Sequence, residues 1–228
     1  MYLSNKKALI TGVSRGLGLE LTRQLLDRGV TVVGWGRSAP ELTHEQFHFQ
    51  PLDITQPEDV ETALQDTLAR VGEIDFLINN AGFGRFAKVD ELPIDTWREM
   101  MSVNLDAMFF VTRAWVPHLK TRGSAHIVNL SSIAGRVGMP QGEGYNASKF
   151  AVSGFSECLF HELRPFGIKV STIYPGSIST NFFDEIPGID AHDGMMRPQD
   201  VAHTIVQLLD THPNYLVREI EMRPLKKG

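Results

Sequence analysis

Cysteine is almost missing from this chain. Cys158 stands alone among 228 residues, which excludes an internal disulfide and fits a reducing compartment. It lies in the apolar helical run GFSECLFHEL, so a thiol buried in the core or in an interface is expected. Long hydrophobic runs are missing too. No apolar stretch is long enough to span a bilayer, and no membrane partner is expected. A basic excess is also lacking. The formal net charge of −5 leaves out the positive footprint that non-specific nucleic-acid binding requires. The one basic cluster, the terminal KKG, reads as a solvated tail. The first strand candidate, KKALITG, begins within a few residues of Met1, so no secretory leader is expected. Linkers, low-complexity tracts and internal repeats are absent as well. One cytoplasmic domain spanning residues 1–228 is expected, long enough for a large core.

What is present is an alternation of short β-branched runs with longer helical patterns, the mark of a parallel sheet covered on both faces. Strands are expected at 7–11, 31–35, 47–52, 74–79, 126–131, 169–174 and 218–222. Helices are expected at 16–28, 57–71, 94–121, 145–164 and 198–209. The fold class is therefore α/β, a doubly wound, seven-stranded parallel sheet. The long irregular segment 177–197 is where a lid over a substrate would sit.

One motif is set aside. HEQFH (residues 44–48) satisfies the zinc-protease pattern, which needs both histidines on one helical face. Phe47 and Phe49 alternate with His48 and Gln50, a period of two, so His48 belongs to a strand and no metal is expected. The turn TGVSRGLG (residues 11–18) is better placed, between the first strand and the first helix. Gly12 permits a tight turn, while Gly16 and Gly18 let backbone approach a pyrophosphate that the helix N-terminus would bind. At the end of the second strand, VVGWGRS puts Gly36 where an NAD-binding fold usually carries a carboxylate for the adenosine ribose. Arg37 follows it, and with Arg15 it can grip a 2′-phosphate. Asp53 comes after the third strand and does not fill that place. NADP(H) is the expected cofactor.

In order along the chain, TGVSRGLG, LDIT, NNAG, SVNLDA, NLSSIAG, YNASK and YPGSIST together resemble the short-chain dehydrogenase/reductase family. The resemblance covers nearly the whole chain, with thirteen positions from Ser132 to Tyr145 and four more to Lys149. It implies an oxidoreductase that moves hydride between a nicotinamide and a carbonyl or secondary alcohol. It implies that Ser132 holds the substrate oxygen and that Tyr145 gives or takes its proton. Lys149 then lowers the tyrosine pKa and binds the nicotinamide ribose, and Asn104 supports a water that links the lysine to solvent. It extends the cofactor contacts to Ser14 and Leu17 in the first turn and to Ile54 beside Asp53. Asn80, Ala81 and Gly82 follow on the adenosine side, and Pro175, Gly176, Ile178 and Thr180 at the nicotinamide end. It also implies a homodimer or homotetramer.

Physical chemistry bears on the Tyr145–Lys149 pair independently. Four residues apart on a helix, they share a face. An ammonium at about 5 Å, with an effective dielectric near 20, stabilises a phenolate by roughly 3 kcal/mol. That is most of the three-unit lowering a phenol needs to trade protons near neutrality. Phe83, Phe86, Val137, Met139, Phe182, Phe183, Met195 and Met196 are candidate pocket walls for an apolar carbonyl compound. Asp184, Glu185, Asp190 and Asp193 make a strongly anionic substrate less attractive. The rival expectation is a regulatory protein that senses NADP(H) without turning anything over.

Overall fold

The computed structural model describes residues 2–180, 182 and 192–225. The strands are β1 (Lys7–Thr11), β2 (Thr31–Gly36), β3 (Phe47–Pro51), β4 (Phe76–Asn79), β5 (Ala125–Leu130), β6 (Ile168–Pro175) and β7 (Glu219–Met222). They form one sheet in the order β3-β2-β1-β4-β5-β6-β7, and every pairing is parallel. The helices are α1 (Gly16–Leu26), α2 (Pro57–Val71), α3 (Ile94–Met101), α4 (Ala107–Arg122), α5 (Glu143–Leu163) and α6 (Pro198–Leu209). The doubly wound α/β class expected from the sequence is the class observed. His48 is on β3, and among the described residues no group of three His, Cys, Asp or Glu side chains could hold a metal. Nor does any helix among them have the length and apolarity to cross a membrane.

The period of two divides each central strand between two cores. Ala8 and Ile10 of β1 pack with Val32, Phe76, Ile78 and Val128 on the α1–α6 face. Leu9 packs with Val33, Trp35, Leu77 and Ile127 on the face covered by α2, α4 and α5. Two buried faces explain why these strands read as near-continuous apolar runs. Trp35 anchors the second core, tilted against Trp115 with centroids 6.3 Å apart, its indole N–H on the Thr67 hydroxyl.

Three expectations need correction. The helix expected at 94–121 is interrupted by a π-helical turn, Ser102–Asp106. β4 begins at Phe76 rather than Ile74, although the Asp75 backbone already bonds both neighbours, its N–H to the Lys7 carbonyl and its carbonyl to the His126 N–H, while its buried carboxylate meets Lys6, Arg122 and the Lys7 N–H. Cys158 is not in the core: it is exposed on the chain, since the buried stripe of α5 runs through Val152, Ser156, Leu159 and Leu163 and leaves position 158 outside it, and an exposed thiol is still compatible with a place in an interface. Of the lid expected at 177–197, Asn181 and residues 183–191 lie outside the described residues, and with them Phe183, Asp184, Glu185 and Asp190. The basic tail 226–228 does too.

His126 makes the fold acid-sensitive. Burial, helped by the charge of Lys169, pushes its pKa from 6.5 down to about 3, while Nε2 pairs with the Ser171 hydroxyl at 2.8 Å. The folded value lies below the unfolded one, so this contribution to stability is complete above pH 6.5 and is lost as pH falls toward 3. At pH 4.5 the loss is about 2–3 kcal/mol. His126→Gln keeps a polar group near Ser171 but cannot titrate. The stability gap between wild type and variant, from urea unfolding, should shift by that amount between pH 7 and pH 4.5. An unchanged gap counts against the assignment.

Candidate active site

All strands run the same way, so their C-terminal ends share one edge of the sheet, where ligands of such folds bind. A cleft of about 1770 Å³ opens along it. Its lining gathers Gly12 and residues 14–18, Gly36 and Arg37, Asp53 and Ile54, and Asn80, Ala81 and Gly82. Ser132, Tyr145, Lys149, Pro175, Gly176, Ile178 and Thr180 complete the expected set. Asn104 alone is not in the lining, being fully buried behind it.

The first turn is shaped to admit a backbone-bound anion. Gly12 has φ +75°, and a Cβ there would lie 2.9 Å from the Ala81 Cα. Thr11 Oγ1 accepts the N–H groups of Asn80 and Ala81, each at 3.1 Å. The Asn80 amide in turn donates to the carbonyls of Thr11 and Gly12, each at 3.0 Å. The β1 and β4 turns are thus stitched together, and the Asn80 side chain is spent on that stitch. Arg15, the N-cap of α1, makes no side-chain bond to the helix. The first-turn N–H groups and the positive dipole end are left to an anion. Thr180 closes over this turn, 3.4 Å from where a Gly16 Cβ would stand. Such a cradle fits the pyrophosphate of a dinucleotide.

Beyond β2, a Cβ on Gly36 would meet nothing nearer than the Gly12 nitrogen at 4.0 Å. Arg15 and Arg37 are both exposed along the cleft. Asp53 accepts from the Thr55 N–H at 3.0 Å and its hydroxyl at 2.8 Å. These bonds hold the carboxyl below its usual pKa, with Arg37 contributing. Asp53 therefore stays ionised as the anchor of its own turn.

The other cluster is built on α5 and the π turn. Asn104 Oδ1 accepts from the Phe83 N–H, and its Nδ2 donates to the Phe83 carbonyl and to Ser148 Oγ, all at 2.9 Å. The amide has no donor left for a water. Lys149, 4 % exposed, donates to the Leu130 carbonyl at 2.9 Å. Its Nζ is 5.9 Å from the centre of the Tyr145 ring. Ser132 donates weakly to the Pro175 carbonyl at 3.4 Å. The Tyr145 ring packs between Phe86 and Phe182, each centroid 5.6 Å away.

In the chain by itself, the expected lowering of the Tyr145 pKa does not occur. Burial pushes the phenol up to about 12, against a smaller opposing effect of its hydrogen bond with Ser132. Burial also brings Lys149 down to about 8. Drying both groups costs more than the attraction between them returns to the phenolate. At neutral pH Lys149 is still mainly charged and Tyr145 is a protonated phenol.

Residues 6–188 match the family model described as short chain dehydrogenase. The 3-alpha-(or 20-beta)-hydroxysteroid dehydrogenase of Mycobacterium tuberculosis is 31% identical over 222 residues, covering 93% of this chain and 85% of that protein. An alcohol dehydrogenase from Thermococcus sibiricus, solved with 5-hydroxy-NADP, superposes with a TM-score of 0.90 at 28% identity over 99% of both chains. A 3-ketoacyl-(acyl-carrier-protein) reductase from Brucella melitensis, solved with NADH, gives 0.87 at 26% identity over 98% of both. The chain belongs to the short-chain dehydrogenase family. It is an oxidoreductase of the dehydrogenase/reductase type, and the family's cofactors are nicotinamide dinucleotides.

Some of the lining was not anticipated. Ser38, Arg85, Arg98, Glu99 and the segment Arg223, Pro224, Leu225 all face the cleft. Arg85, between two phenylalanines already singled out, was within reach of sequence reasoning; Arg223 to Leu225 carry no motif. Of the expected walls, Phe83, Phe86, Met139, Phe182 and Met195 line the cleft. Val137 is half exposed, and Met196 packs on the α1–α6 core instead.

The glycines of the cleft differ in what they tolerate. A Cβ on Gly18 would lie 2.1 Å from the Gly12 carbonyl oxygen and 2.5 Å from Asn80 Nδ2. Gly18→Ala should therefore cost about 1–3 kcal/mol or more by overpacking. Gly36→Ala, into open space, should change stability by less than about 0.5 kcal/mol. Parallel urea melts check both, and equal effects of the two substitutions would contradict the packing described.

Proposed function

We propose that this protein is an NADP(H)-dependent reductase of carbonyl compounds, one domain acting in the cytoplasm. The observation that carries the proposal is the meeting of Ser132, Tyr145 and the buried Lys149 in the same cleft as the glycine turn. When bound, the nicotinamide supplies or accepts the hydride. Ser132 donates to the substrate oxygen, and Tyr145 delivers its phenolic proton to that oxygen as negative charge develops on it. A phenol that stays protonated suits the reductive direction, because an alkoxide is a far stronger base than a phenolate. Lys149 holds the ribose and faces the proton-transfer site with a charge kept by the Leu130 carbonyl. Asn104 fixes the Phe83 turn and Ser148 through its amide, whose oxygen keeps a second acceptor site for a water.

NADP(H) rather than NAD(H) is supported by the empty place at Gly36 and by Arg15 and Arg37 beside it. The archaeal neighbour solved with an NADP derivative agrees with this reading; the Brucella neighbour solved with NADH marks the alternative. Phe83, Phe86, Met139, Phe182 and Met195 favour an apolar or aromatic carbonyl compound, consistent with the hydroxysteroid named for the mycobacterial relative. The described wall carries Arg85, Arg98 and Arg223 against Glu99, so the acidic lid residues do not by themselves disfavour an anionic substrate. We take the chain to form a homodimer or homotetramer through α4 and α5, where Phe109 and Phe150 are exposed. Cys158 would then lie near the contact.

Tyr145→Phe keeps the ring and its packing but removes the acid. Turnover of an accepted carbonyl compound, followed by NADPH absorbance, should fall at least about 100-fold while NADPH affinity holds. Half-maximal activity in the variant would refute the acid.

The cofactor assignment has its own test. Gly36→Asp brings a carboxylate near a 2′-phosphate; at about 5 Å and an effective dielectric of about 20–40 the repulsion is roughly 2–6 kcal/mol before screening. The kcat/KM ratio of NADPH to NADH should drop more than about tenfold. Arg37→Ala should weaken NADPH and leave NADH nearly unchanged. A wild type that prefers NADH, or a ratio that Gly36→Asp leaves unchanged, removes the NADP assignment alone.

A further inference from the structure

Between Tyr145 and Lys149, the two residues that carry the proposed proton chemistry, stands a side chain to which the reaction assigns nothing. Asn146 is 7 % exposed. Its Nδ2 donates to two backbone carbonyls, Ala134 at 2.8 Å and Val137 at 2.7 Å. Both carbonyls belong to the short turn that follows β5 and begins at Ser132. That turn sets the serine's own bonding. Ser132 Oγ accepts the Ala134 N–H at 3.1 Å, and the Ser132 carbonyl accepts the Gly135 N–H at 2.9 Å. Ala134 is fully buried and packs in one cluster with Tyr145 and Met100.

We propose that Asn146 is a positioning residue that holds the Ser132 turn in register with Tyr145, so that both hydroxyls meet one substrate oxygen. The geometry is direct. Asn146 and Tyr145 are neighbours on the first turn of α5, so a bond from Asn146 to the turn fixes the serine relative to the tyrosine. Other ties hold the same segment from farther away. Ser131 Oγ donates to the Lys149 carbonyl at 3.0 Å, and Ser153 Oγ lies 3.2 Å from the Gly135 carbonyl. Arg136 lies 3.8 Å above the Tyr174 ring and pairs with Glu219 and Glu221 of β7. Asn146 is the tie that spans the turn itself, from its second residue past Ser132 to its fifth. An asparagine fits because one amide nitrogen carries two hydrogens, and the turn offers two carbonyls. Loss of both bonds leaves the buried Ala134 carbonyl and the part-buried Val137 carbonyl without this donor, and the turn relaxes to find others. A displacement near 1 Å is enough to lower turnover on the order of 100-fold.

The proposal rests on the role given to Ser132 above, and the test separates the two. Turnover is measured for wild type, Asn146→Ala, Ser132→Ala and the double variant, with NADPH affinity read by fluorescence in each. Asn146→Ala is expected to lower kcat about 10- to 100-fold with NADPH affinity within about twofold. In the Ser132→Ala background the same substitution should cost less than about twofold, because the group it positions is gone. A Ser132→Ala variant of low activity that still loses tenfold on Asn146→Ala overturns the positioning and leaves the serine's role standing. A fully active Ser132→Ala overturns both. If Asn146→Ala does not yield soluble protein, Asn146→Ser, which keeps one donor on a shorter arm, is taken through the same cycle. Its expected loss is about 3- to 10-fold, again absent without Ser132.

Discussion

A buried ammonium is the constraint around which the cleft is arranged. Lys149 is 4 % exposed, and a charge so placed is tolerated only when it is hydrogen-bonded. Its partner is the carbonyl of Leu130, the last residue of β5. That bond ties α5 to the sheet at one point, and the rest of the wall is referred to it. Tyr145 stands one helical turn earlier, Ser148 beside it reaches Asn104, and the Lys149 carbonyl accepts from Ser131 and Ser153. Serine and asparagine recur here because each backbone carbonyl turned toward the cleft needs a donor that takes little space.

The same wall explains how two groups of opposite character share one site. Drying raises the phenol and lowers the amine, so burial alone brings their ordinary values in opposite directions. The phenol is kept as a proton donor and the amine near its own titration. Under the reduction proposed above, the first would supply the proton and the second would help refill the phenol from solvent.

Most of the fold was legible because the strands are short, twice buried and separated by turns with their own chemistry. The glycine turn was legible in part: Gly12 and Gly16 act through local backbone geometry that TGVSRGLG contains, while the fit of Gly12 and Gly18 against Ala81 and Asn80 depends on a distant segment. What escaped depends on distant partners. The π turn at Ser102–Asp106 leaves no trace in the apolar period, because it is tied to the Phe83 backbone twenty-one residues away. The direction of the Tyr145 shift depends on packing by Phe86 and Phe182, which no spacing encodes. Cys158 stays out of the core because its own helical position faces outward although its neighbours are apolar.

Gly36 stands at the end of a buried strand, yet nothing within van der Waals reach depends on its lacking a side chain. Many positions that line a cleft are also structural members, and altering them disturbs the frame along with the cleft; at Gly36 the two are uncoupled. A lineage carrying this fold can exchange one residue for another at that position without first acquiring compensating changes elsewhere, since no stability reserve is drawn down. On the reading of Gly36 proposed above, the route between one dinucleotide and the other would be a short walk through folded proteins.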